Sequence, residues 1–149
     1  MPTAKLLSER PLVEIDEDGL RVLKRALAVD VGQYIKALHR KGRQRYHVSM
    51  SKMGTTITRV PEGMRYNGAS IPWLVQPVLG DPMLWEAAGA VHDWLFQVQA
   101  PYRASNRVFR IIARSGKGVG WLRAGLAYAG LQLGGWVAYR RHGRKRKTV

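Results

Sequence analysis

The stretch VPEGMRYNGASIPWLVQPVLG, Val60–Gly80, constrains this chain more than any other. Pro61, Pro72 and Pro77, together with Gly63 and Gly68, exclude a long helix or strand across it. Regular structure must therefore be built on either side. A Pro/Gly-rich segment inside a compact domain either covers a core or builds a site.

Before it, the apolar pattern is that of short strands. In LRVLKRALAVDVG (Leu20–Gly32), Leu23, Leu27, Val29 and Val31 share one alternating face, with Arg25 as the exception. YHVSM (Tyr46–Met50) and TTITRV (Thr55–Val60) flank SKMG, which reads as a hairpin turn. Between the two regions, IKALHRKGRQR (Ile35–Arg45) is basic and suits a loop or a short helix.

Behind it, the period becomes helical. A first helix starts at Asp81 as N-cap with Pro82 in the first position and runs to about Gln97. A second is capped by Ser105 or a neighbour and runs to about Ser115, stopped by Gly-Lys-Gly. A third spans Val119 to about His142. The expected architecture is α+β in a single domain over residues 1–149: a short antiparallel N-terminal sheet, the Pro/Gly-rich loop, then three C-terminal helices. The strand-rich part covers 12–60, the loop 61–80, the helices 81–142 and a basic tail 140–149. No internal repeat occurs.

Charge narrows the partners. The net charge is +15. Of ten acids, six fall within the first thirty residues and none follows Asp93, whereas twelve Lys and Arg do. Such a chain binds something anionic: nucleic acid, anionic lipid or an acidic protein. With no cysteine, disulfides, zinc–thiolate sites and thiol nucleophiles are excluded. The N-terminus has no apolar signal-peptide core, so synthesis in the cytoplasm is expected.

The chemistry-bearing stretch is AAGAVHDWLFQ, Ala87–Gln97. At 3.6 residues per turn the helix presents three stripes. Leu84, Ala88, Val91 and Leu95 form an apolar one. Trp85, Gly89, His92 and Phe96 form a second. Glu86, Ala90, Asp93 and Gln97 form a polar one. His92 and Asp93 thus point about 100° apart and cannot be a directly bonded pair. Gly89, one turn before His92, costs roughly 1 kcal/mol relative to alanine, a cost explained if a substrate, a water or another backbone approaches there. His92 is either a core histidine with one satisfied nitrogen or a general base. On the second helix, Asn106, Phe109 and Ala113 share a face, and the short connector makes the two helices antiparallel neighbours. Asn106 is then placed to bond His92, the orienting contact that a general base requires.

Three linked motifs, VPEGMRYNGASIPW, AAGAVHDWLF and RASNRVF, resemble a phage and prophage family, the domain of unknown function numbered 1353. The resemblance covers about Val60 to Tyr139 and implies a phage origin. It puts Asn67, Gly68 and Ser70 in the family's Asp-Gly-Ala-Ser-Ile-Pro motif as binding residues. Its His-Asp helix is also similar to the core of secreted phospholipases A2. That likeness implies His92 as base for a water, Asp93 as a calcium ligand and Asn106 as the orienting group. Asn67 and Asn106 stand where the patterns have aspartate, and Phe96 where they have tyrosine, which weakens both the charge behind the histidine and any calcium site. EIDEDG (Glu14–Gly19) lacks EF-hand spacing and reads as a solvated acidic turn.

Arg103, Arg107, Arg110 and Arg114 recur at spacings of 4, 3 and 4 with no acid between them, giving a self-repelling guanidinium row suited to phosphate. The tail RRHGRKRK adds six charges. Val119–Tyr139 is 21 residues long with Gly130-x-x-x-Gly134 spacing, which fits a core helix, an oligomer contact or a membrane span. The leading expectation is a phage-encoded accessory or virion-associated protein with a basic docking surface for nucleic acid, envelope lipid or another virion protein. The alternatives are a phospholipase-like ester hydrolase using His92, with calcium as its cofactor, and a lysis-linked membrane-active protein.

Overall fold

The computed structural model describes residues 4–40, 44–66, 82–115, 139–141 and 143, the side chains of 82–85 excepted. Asn67, Gly68, Ser70, Asp81, Val119–Ala138 and the tail from Arg144 lie outside the described residues. The fold class is the expected α+β, with antiparallel sheets in the N-terminal half and helices behind them. There are two sheets rather than one. The first holds β1 (Lys5–Leu6), β4 (Leu27–Asp30), β5 (Val48–Met50) and β6 (Thr56–Val60) in the order β1-β4-β6-β5. The second holds β2 (Val13–Ile15), β3 (Arg21–Leu23) and β7 (Arg65–Tyr66) in the order β2-β3-β7.

The alternating face over Leu20–Gly32 is carried by two strands, β3 and β4, in different sheets. The chain breaks at Lys24–Ala26, where Arg25 turns out to bond the Arg10 carbonyl oxygen at 2.7 Å and Glu9 at 2.6 Å. The inward face survives the break. Leu23, Leu27, Val29 and Val31 are all buried, because a separation of four preserves the side-chain parity of the strand. The hairpin at SKMG forms as expected. Val48, Ser49 and Met50 pair with Thr58, Ile57 and Thr56, and Gly54 takes a left-handed φ of 81° in the turn.

The first six residues of the expected loop, 61–66, form a turn and a short strand. Pro61–Met64 makes a tight turn, with Gly63 at φ 87°, that passes the chain from β6 into β7. Arg65 and Tyr66 then pair with Val22 and Arg21, because the open edge of β3 offers backbone groups that need partners. The acidic EIDEDG stretch is the β2–β3 turn. Asp16 Oδ1 accepts the amides of Asp18 and Leu20 at 2.9 Å, and Arg65 bridges Asp16 and Asp18. Partial burial works against ionisation of Asp16, but these amides and Arg65 outweigh it and hold the carboxyl below its usual range.

The basic stretch after β4 contains a short helix, α1 (Lys36–His39). It is held down by Thr56, whose hydroxyl accepts the Ile35 amide and lies 2.8 Å from His39 Nε2. α2 (Pro82–Gln97) and α3 (Tyr102–Arg114) follow. α3 starts earlier than expected, with Pro101 at the cap and no side-chain cap bond. Ser105 lies in the first turn instead, donating its amide and its hydroxyl to the Pro101 carbonyl oxygen. The buried apolar side chains of both sheets and both long helices form one cluster. Replacing Thr56 by Val should cost about 1–3 kcal/mol in urea unfolding, because the buried Ile35 amide loses its acceptor.

Candidate functional site

α2 is enclosed on every face whose side chains are described. Ala88, Val91 and Leu95 enter the core, and of the polar stripe Ala90 is fully buried and Asp93 only 6% exposed. That polar stripe runs along β7 rather than solvent. Glu86 accepts hydrogen bonds from Arg21 and from the Tyr66 hydroxyl. Gln97 donates to the Arg65 carbonyl oxygen at 2.8 Å. Trp94 donates its indole N–H to the Tyr46 carbonyl oxygen at 3.0 Å and packs on His47.

Burial pushes the Tyr66 phenol far above its ordinary range, reinforced by the Glu86 carboxylate and by the charge of Asp93. Arg21 is raised chiefly by its bond to Glu86. Neither Tyr66 nor Arg21 is conspicuous in the sequence. Only the periodic recurrence of Glu86 and Asp93 on one stripe signals that a polar partner is needed opposite.

His92 is 1% exposed and Asn106 is fully buried. The expected cross-helix bond is present, with the His92 Nε2–H donating to Asn106 Oδ1 at 2.7 Å. Three contacts show α2 and α3 running antiparallel: His92–Asn106, His92–Phe109 at 5.5 Å and Phe96–Tyr102 at 5.7 Å between ring centroids. The His92 ring is tilted on Phe96 at 4.1 Å. Tyr139 packs edge-on against both Phe96 and Tyr102 and caps this aromatic group.

With Nε2 protonated, Nδ1 carries the lone pair of the neutral ring. It is buried without a hydrogen-bond partner among the described residues. Asp93 Oδ1 lies 3.6 Å from it, too far for a hydrogen bond but within ion-pair range of an imidazolium. The two side chains are thus not hydrogen-bonded to each other, as the helix geometry requires, although the carboxylate oxygen lies beside Nδ1. No described atom lies within 4 Å of a Cβ built on Gly89, so the glycine is not explained by close approach of a described group.

Among the described residues, Asp93 belongs to no group of three His, Asp or Glu able to hold an ion.

The arginine row occupies α3 as expected. Arg103, Arg107 and Arg114 are exposed and Arg110 is half-buried, while Ala104, Val108, Ile111 and Ile112 pack inward. No described helix is long and apolar enough to cross a membrane. The raised phenol has a pH consequence. Its stabilising effect is complete below the ordinary tyrosine pKa of about 10 and is lost as pH rises beyond it. Phenolate absorbance should show a late-titrating fraction that shrinks in Tyr66→Phe, and the variant should lose less stability than the parent between neutral and strongly alkaline pH.

Neither a curated protein sequence nor a solved structure matches the chain. The phospholipase likeness accordingly rests on the His-Asp helix alone. A family model does match, over residues 44–131 of 149, beginning earlier than the three motifs and taking in β5 and β6. With more than half the chain covered, the protein belongs to the family described as "Protein of unknown function (DUF1353)".

Proposed function

We propose that this is a phage-encoded accessory protein that docks on nucleic acid through the basic face of α3. One observation carries the reading: Arg103, Arg107 and Arg114 are exposed on a helix with no acid, because the apolar side of α3 is consumed by packing on α2. Guanidinium groups in that setting repel one another and are relieved by phosphate. An interfacial membrane helix needs an apolar face to bury in lipid, and the described α3 has spent its own on the core. That favours a hydrated polyanion over lipid.

The experiment is fluorescence anisotropy with a short labelled duplex between about 50 and 200 mM salt. Arg103→Gln/Arg107→Gln should weaken binding at least tenfold at low salt and reduce the slope of log K against log salt by about two, roughly 0.9 per lost phosphate contact. The reading fails if the parent protein ignores the duplex at low salt, or binds anionic vesicles or polyglutamate more tightly.

A second reading is favoured by the His92 geometry. An imidazole oriented through Nε2 by Asn106, with its Nδ1 unpartnered among the described residues and a carboxylate 3.6 Å from it, is arranged as a general base for ester hydrolysis. Bacterial phospholipid vesicles, incubated with calcium or with chelator, provide the test. Fatty acid release lost in His92→Ala at an unchanged thermal midpoint would support hydrolysis. A large fall in midpoint with no release from the parent would make His92 a core residue.

A further inference from the structure

A second basic segment, distant in sequence, joins the arginine row. A groove of about 410 Å3 lies between α1 and α3, lined by Ile35, Lys36, Ala37, Arg40, Arg103, Ala104 and Arg107. Four of those seven side chains are cations, and none is an acid. Arg103 and Arg107 are one turn apart on the same face of α3, while Lys36 opens α1 and Arg40 follows its last residue, and all four line the groove.

We propose that this groove seats a phosphodiester linkage of the bound nucleic acid, with the α1 pair and the α3 pair contacting it from opposite walls. The inference rests on the nucleic-acid reading above and names where that contact concentrates. The floor is apolar, since Ile35 and Ala104 are both buried, and low-dielectric walls strengthen attraction between a cation and an anion held above them. The walls are positioned without a ligand. Arg107 donates to Gln33 Oε1 at 3.2 Å, and the Ile35 amide is tied to Thr56 at 2.8 Å. The volume falls in the usual range for small-ligand sites, roughly 300–1,000 Å3, which leaves room for the sugar beside the phosphate. Four like charges around one hollow repel, and a bound phosphate is the group that turns this repulsion into attraction.

The test uses the full chain, the same labelled duplex and the variant Lys36→Gln/Arg40→Gln, with Lys52→Gln as a control in the exposed β5–β6 turn. The groove variant should bind at least tenfold more weakly and lose about two units of salt slope, and the control should stay within twofold. In the parent protein, saturating duplex should shift the backbone amide resonances of Ile35 and Ala104. That measurement holds even if the groove variant misfolds.

If the parent binds, but the groove variant behaves like the control or those two resonances stay still, the groove assignment is overturned and the docking reading stands. If the parent does not bind nucleic acid, both are overturned. Equal loss of binding to anionic lipid vesicles, with no affinity for the duplex, would overturn both in favour of a headgroup site.

Discussion

The structure turns on the enclosure of α2. A helix packed by sheet on one side and by helix on another cannot leave a polar side chain unsatisfied, because an unpaired buried polar group costs on the order of a hydrogen bond or more. Four polar positions on α2 meet that requirement in different ways. Glu86 draws Arg21 and Tyr66 from the second sheet. Gln97 takes a backbone carbonyl of β7. Trp94 reaches the chain entering β5. His92 takes Asn106 from α3. These bonds fix how both sheets and both long helices sit around one another, so the polar residues of α2 specify the arrangement while its apolar stripe supplies the burial.

His92 is where that requirement is met only by half. Nε2 is satisfied, whereas Nδ1 lies beside Asp93 without a hydrogen-bond partner among the described residues. Aromatic rings from Phe96 and Phe109 close over the imidazole. Full burial fits a structural histidine, and an oriented ring with one unpartnered nitrogen fits a base. Access of water or substrate to Nδ1 requires movement of the surrounding side chains, because 1% exposure admits neither.

The outer surface follows a separate logic. α3 spends its apolar side on α2, which leaves Arg103, Arg107 and Arg114 exposed on a helix that carries no acidic residue. Folding then carries Lys36 and Arg40 to the same place, through a four-residue helix held by one threonine. The His92–Asn106 pair and the basic groove are thus physically distinct, one inside the helix pair and one on its outer side.

Periodicity and composition alone determined the α+β class, the SKMG hairpin, the reach of α2, the cross-helix His92–Asn106 contact and the arginine row. Each depends on local spacing, which sequence carries directly. Tertiary structure decided the rest. The break of Leu20–Gly32 into two sheets was invisible because side-chain parity is unchanged across it. The strand at Arg65–Tyr66 arises from an open edge contributed by residues more than forty positions earlier. The Glu86–Tyr66–Arg21 cluster and the α1–α3 groove join side chains that are far apart in the chain, and no pattern along a sequence records which distant groups will share a wall.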